Sequence, residues 1–323
     1  MNASNRLPLV LRVACVLILV APTLSGCQLR ARAAENTQTH EIRVDELERR
    51  YFLHVPPGLP ADKAVPLVLM FHGGGGRPAF AERESRFSEL ADREGFLVAY
   101  PEGIGQSWND GRGDLGLAAQ RDNVDDVAFV AALLDDVAGR HEVDPRRVFA
   151  TGMSNGAIFS HTLAARLSTR IAAIAPVTGG IAQAFSESFA PEQPVSVLIL
   201  QSTADPLVPY DGGPIRKRGG AERAGILSTA ETVRKWVEHN GAKAKAVVAE
   251  LPDTDPQDGC RVQTFTHSGG RKGSSVVLYR IEGGGHTWPG GLQYLPERFI
   301  GKVCRDISAT EVIWNFFKAH GRP

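Results

Sequence analysis

Apolar positions along this chain fall into two kinds of run, which alternate from about residue 41 to the C-terminal end. Short continuous apolar runs, at Val65–Phe71 (VPLVLMF), 96–100, 147–151, 171–177 and 195–200, read as strands buried on both faces of a sheet. Segments with apolar residues at helical spacing, at 80–94, 124–141, 155–167, 230–240 and 309–320, read as helices. Segments 41–47, 50–55, 247–251, 262–267 and 275–281 complete the set as further strands. Such alternation predicts an α/β fold with a mainly parallel central sheet and helices on both faces. Right-handed crossovers would then gather successive loops at the carboxyl ends of the strands. No internal repeat or interdomain linker interrupts the pattern, so 41–323 is expected to be one domain.

The N-terminal segment follows a different logic. Arg6 and Arg12 precede an apolar run, VACVLILV, too short to cross a bilayer as a helix. This predicts a signal peptide over 1–26. Its end, Leu24-Ser25-Gly26-Cys27, resembles a bacterial lipobox, in which cleavage leaves a lipid on the cysteine. An ordinary cleavage site near Ala31-Arg32-Ala33 lies well past the apolar run, behind Arg30. The expectation is an exported protein, extracellular or in the cell envelope, held on a membrane face through Cys27 and a polar tether over 27–40.

Composition narrows the classes. With 43% apolar and 22% charged residues the chain has the make-up of an ordinary globular protein, and a formal net charge of zero gives no basic excess for nucleic acid. Of four cysteines, Cys15 belongs to the leader and Cys27 to the lipobox. The remaining pair, Cys260 and Cys304, is expected to form a disulfide in an exported protein, worth roughly 4 kcal/mol through loop entropy. The alternative is two separate buried thiols. Their spacing does not suit zinc, and no metal site is expected.

The chemistry concentrates at Gly152-Met153-Ser154-Asn155-Gly156, which matches the nucleophile elbow G-x-S-x-G. A strand, RRVFAT, ends at the motif and an alanine-rich helix starts from it, the context the elbow requires. His72-Gly73-Gly74-Gly75-Gly76 follows the VPLVLMF strand and is of the HGGG type that completes an oxyanion hole. The N–H groups of Asn155 and of Gly74 (or its neighbour Gly73) are the candidate donors, and His72 reads as a loop-ordering residue.

A serine nucleophile needs a base and an orienting acid, in the order Ser, Asp or Glu, His in this fold. His286 sits in a glycine-rich loop after the strand SVVLYRI and is the candidate base, ahead of His239, His267 and His320. Asp205 follows the strand VSVLIL and precedes Pro206, which fixes the chain; Asp211 is its main rival, with Asp253, Asp255 and Asp258 behind. Trp108 and Trp288 are candidate pocket walls that could stack on an acyl group, and His161 reads as structural.

Together HGGGG, SWNDGRG, DNVDDVAFV, RRVFATGMSNGA, LILQSTADPLVPYDGG, GGGHTWPG and the closing ATEVIWNFFKAH resemble the polyhydroxybutyrate depolymerase and feruloyl esterase family of secreted α/β-hydrolases, over about residues 47–320. The resemblance implies cofactor-free carboxylic-ester hydrolysis, with Ser154, Asp205 and His286 in the triad positions. Relatives often carry cysteine where this chain has Gly74, a change a backbone donor tolerates. Polyester depolymerases usually carry an added binding domain, which is not seen here, so soluble or oligomeric esters (feruloyl, acetyl or hydroxybutyrate) are the expected substrates. An exported peptidase on the same fold and a silent lipid-anchored binding protein are the competing readings.

Overall fold

The computed structural model describes residues 36–60, 63–216 and 222–323; the leader, the lipobox and Cys27 lie outside them. The chain enters through an antiparallel hairpin, β1 (Thr37–Val44) and β2 (Leu47–His54), turning at Asp45 with φ 52°. It continues through β3 (Val65–Phe71), helices α1 (Pro78–Ser85) and α2 (Phe87–Glu94), β4 (Leu97–Pro101), a one-turn α3 (Ala118–Arg121) and α4 (Asp126–Arg140). Then come β5 (Val143–Met153), α5 (Asn155–Arg166), β6 (Ala173–Val177) and β7 (Ser196–Ser202). A small hairpin, β8 (Gly213–Arg216) and β9 (Glu222–Ile226), precedes α6 (Thr229–Asn240), β10 (Val247–Glu250), β11 (Arg261–His267) and β12 (Val276–Glu282). A one-turn α7 (Glu297–Ile300) and α8 (Ala309–Ala319) close the chain.

One ten-stranded sheet carries the order β1-β2-β4-β3-β5-β6-β7-β12-β11-β10. The strands from β4 to β12 in that order run parallel, and the flanking strands pair antiparallel at both edges. Every residue of β3, β6 and β7 is buried, as expected of strands covered on both faces. Alternate residues serve different layers. Leu67, Leu69 and Phe71 pack with Phe129, Phe159 and Trp236 of α4, α5 and α6. Val68 and Met70 pack with Phe87, Leu90, Trp314 and Phe317 of α2 and α8.

Several boundaries differ from the sequence reading. The expected tether over 27–40 gives way at Thr37 to β1, pinned by Thr37 donating to Glu82 (2.7 Å) and by His40 stacked on Tyr51. The helix expected over 80–94 is two, broken at Arg86 with φ 56°. Hairpin β8–β9 was not foreseen. Among the described residues no helix is long and apolar enough to cross a membrane.

Candidate active site

The sheet order sets the site. Loops after β3, β5, β7 and β12 all leave from carboxyl ends of parallel strands, so residues far apart in sequence meet at one edge. Ser154 sits between β5 and α5 with φ 57° and ψ −118°, a strained conformation that lifts its side chain out of the turn. Its flanking glycines are sterically required. A Cβ on Gly152 would stand 2.7 Å from the Phe71 carbonyl oxygen, and one on Gly156 2.4 Å from the same atom.

Asn155 opens α5, where the first backbone N–H groups lack helical partners and the helix dipole is positive. Its side chain is buried and fully engaged. Oδ1 accepts from the Trp108 N–H (2.8 Å), and Nδ2 donates to Trp108 O (3.1 Å) and Asp110 Oδ2 (2.6 Å). This clamp ties the elbow to the 108–110 loop. Gly74 lines the same cavity as Ser154, and a Cβ there would meet its nearest neighbour, the Asn155 Cβ, at an ordinary 3.7 Å. A Cβ at this position is therefore accommodated without rearranging the loop.

Asp205 lies three residues past β7 and His286 four past β12, on neighbouring parallel strands. Their loops are laced together by Thr203 N–H to Ile281 O (2.9 Å) and Ala204 N–H to Gly284 O (3.1 Å). His286 Nδ1 lies 2.7 Å from Asp205 Oδ2, and both side chains are buried. The other carboxylate oxygen accepts from the N–H groups of Leu207 (2.8 Å) and Val208 (2.9 Å), which fixes the carboxylate's orientation. His286 is itself held by its N–H on Ile300 O (2.5 Å) and by Tyr294 Oη on its carbonyl (3.0 Å). Ser154 and His286 face one cavity of about 760 Å³, with Met153, Phe80, Leu292 and Tyr294 on its walls. Among the described residues no direct hydrogen bond joins the hydroxyl to the imidazole, a looseness common where no substrate is bound.

The remaining candidates sort differently. Among the rival histidines, His239 lies near Gln193 O, His267 near Lys243 O, and His320 near Ser275 Oγ and Phe316 O. His72 accepts from the Gly103 N–H (3.1 Å) through Nε2, which places its proton on Nδ1 facing Gly73 O, and burial lowers its pKa. Burial also holds His161 neutral, down to about 4, between Trp236 and Gly179. Trp108 and Trp288 do not wall the Ser154 cavity, contrary to expectation. Trp108 is fully buried, stacked on Phe159 and donating to His72 O (2.9 Å). Trp288 is buried and donates to Thr310 Oγ1 (3.0 Å). Each indole N–H finds its partner inside the scaffold, so neither ring is available to a ligand.

Cys260 and Cys304 are also corrected: both are free buried thiols. Their sulfurs and an Asp258 carboxylate oxygen lie within 4.8 Å of one another. The thiols share a hydrogen bond that, together with burial, pushes Cys260 far up, and the same bond lowers Cys304 against the opposing effect of burial. Adjacency is present, but closing the bond would take two protons and two electrons that geometry alone does not remove. Asp258 is already engaged, accepting from the N–H groups of Cys260 (2.6 Å) and Arg305 (2.6 Å), which argues against a metal there.

Sequence reasoning missed three groups at the site. Glu84 of α1 is buried on the cavity wall with Oε1 unpartnered, and burial pushes its carboxyl up to about 7 against the pull of His286. Phe80 and Tyr294, in edge contact at 5.8 Å, supply the aromatic wall assigned to the tryptophans. Arg112, Arg216 and Arg223 line a second cavity beside Ser154. Arg112 lies in the SWNDGRG segment, and Arg216 and Arg223 flank a basic stretch to which the sequence reading assigned no element.

Comparison with known proteins adds an independent line. Residues 49–222 match the family described as Esterase PHB depolymerase. A putative esterase, NocK, of Nocardia uniformis subsp. tsuyamanensis is 32% identical over 293 residues, covering 89% of this chain and 84% of that protein. Feruloyl esterase B of Piromyces equi is 27% identical over 74% of this chain, which spans only 42% of that relative's length. Among solved structures, an acetyl xylan esterase from Aspergillus awamori shares the fold with a TM-score of 0.55 at 15% identity, over 77% of this chain and 94% of the other.

Proposed function

This chain belongs to the PHB depolymerase family of esterases and is a carboxylic-ester hydrolase, and we propose that it works through Ser154, His286 and Asp205 by a two-step acyl transfer. The observation that carries the assignment is the His286–Asp205 pair at 2.7 Å facing the same cavity as a strained Ser154. His286 Nε2 takes the Ser154 proton as Oγ attacks the ester carbonyl. The tetrahedral oxyanion is held by the backbone N–H groups of Asn155 and of Gly74 or Gly73, each worth on the order of 3 kcal/mol. The alcohol leaves with the proton from His286, giving an acyl-serine. Water, deprotonated by the same imidazole, repeats the cycle and releases the acid. Asp205 keeps the imidazole proton on Nδ1 and stabilises the imidazolium. No step calls for a metal or cofactor.

The substrate reading is a soluble ester. The aromatic and aliphatic wall of Phe80, Leu292 and Tyr294 suits an apolar acyl or aryl arm, and relatives named feruloyl esterase fit such a pocket. Residues 1–26 would export the chain as a lipoprotein anchored through Cys27, and 36–323 would form a single catalytic domain. Ser154→Ala is expected to lower ester turnover to background while thermal unfolding and circular dichroism stay those of the parent. Turnover near the parent's would overturn the assignment.

A further inference from the structure

The second cavity, about 300 Å³, adjoins the first and shares Ser154, Gly74, His286, Tyr294 and Leu295 with it. Its chemistry differs. Arg112, Arg216 and Arg223 line it between Leu207, Ile215 and Ile300, and no carboxylate is among the described residues on its wall.

Arg112 is buried, with its Nε donating to Asp110 Oδ2 (2.9 Å) and Nη2 paired to the same oxygen (2.8 Å). Asp110 has nothing further to give. Its Oδ1 also accepts from Gln120 Nε2 (2.8 Å) and its Oδ2 from Asn155 Nδ2 (2.6 Å). Arg112 Nη1 is left buried with no partner. Arg223 reaches Asp114 only at 3.5 Å and leaves its Nε without a hydrogen bond, while Arg216 stands exposed at the end of β8. A buried guanidinium donor without an acceptor carries an uncompensated desolvation cost, larger for a charged group than for a neutral one, and an anion reaching it would remove that cost. The flat guanidinium edge matches a carboxylate.

Resting on the esterase reading of Ser154, we propose that this cavity is a specificity subsite for a carboxylate carried on a short aliphatic arm of the ester. Arg112 is its principal donor, and Arg223 and Arg216 supply the surrounding positive field. The preferred substrates are then monoanionic esters, such as half-esters of dicarboxylic acids or esters of short hydroxy acids with a free acid end. Hairpin β8–β9, which contributes Ile215, Arg216 and Arg223, is the element that builds this selectivity.

Two matched substrate pairs, each differing in the charge of one arm, test the proposal. One is 4-nitrophenyl glutarate against its methyl ester, read by 4-nitrophenol release, with the charge on the acyl arm. The other is 3-(butyryloxy)butanoate against its methyl ester, read by butyrate release, with the charge on the alcohol arm. The parent is expected to favour the anion of at least one pair by roughly ten- to hundredfold in kcat/KM, the range of a charged hydrogen bond. The preference should shrink in high salt and collapse in Arg112→Lys and in Arg223→Gln. The second variant keeps the test decisive if the first fails to fold, because Arg112 also braces Asp110 and Asn155. Equal turnover of anion and methyl ester by the parent, or a preference that survives in Arg223→Gln or in a folded Arg112→Lys, would overturn the subsite while leaving the esterase reading intact. Failure of the parent on both pairs and on 4-nitrophenyl acetate would overturn the esterase reading and the subsite with it.

Discussion

Asp205 shows how much one side chain is asked to do. One oxygen faces the imidazole and the other is fixed by two backbone N–H groups, so Asp205→Asn can keep the loop but not the negative charge that favours the reactive tautomer. The expected result in steady-state kinetics is a fall in kcat of about 10³–10⁴-fold with KM little changed. Glu84 sets a second expectation, this time on stability. Its folded pKa, about 7, lies above the ordinary 4.5 because burial disfavours the charged form. Below 4.5 folded and unfolded chains are both protonated and the group costs nothing. As pH rises from 4.5 to 7 only the unfolded chain releases the proton, so stability is lost, reaching on the order of 3 kcal/mol and staying constant above 7. Glu84→Gln should therefore match the parent's urea midpoint at pH 4 and exceed it at pH 8. An equal difference at both pH values would contradict the buried ionisation.

At the scale of elements, the elbow between β5 and α5 is packed so tightly against the end of β3 that its glycines are not exchangeable. Gly156→Ala would press a Cβ into the Phe71 carbonyl oxygen and is expected to cost on the order of 1–3 kcal/mol or more in chemical unfolding. Gly74→Ala, in the same cavity but meeting only an ordinary 3.7 Å contact, should leave the unfolding free energy within about 0.5 kcal/mol of the parent. This is also where the legibility of the sequence can be judged. The buried strands, the elbow and the helices were readable because continuous apolar runs and helical periodicity are local signals. The break at Arg86 was not, because periodicity continues across it and only its left-handed φ separates α1 from α2. Hairpin β8–β9 hid in a basic, glycine-containing stretch with too few apolar residues to show alternation. The tryptophans misled for a related reason: adjacency in sequence to a site loop does not say which way a ring turns, and both turn inward.

The whole molecule places its chemistry by topology. Parallel β3, β5, β7 and β12 deliver a glycine loop, a hydroxyl, a carboxylate and an imidazole to one edge, and packed helices on both faces hold the strands in register. The long-range meeting of positions 205 and 286 was inferable from chain order and strand ends alone. The arginine cavity was not, since it depends on what three-dimensional packing leaves unpaired. Because the sheet begins at Thr37, a chain starting at residue 36 is expected to fold and hydrolyse esters as fast as the full chain, as measured by turnover and thermal unfolding. The central claim, that Ser154 is a nucleophile activated by His286, is tested most directly by a fluorophosphonate probe with peptide mass spectrometry. Stoichiometric modification of Ser154 with parallel loss of ester hydrolysis, slowed strongly in His286→Ala, is the expected result. Labelling at another residue, or hydrolysis that persists once Ser154 is blocked, would contradict it.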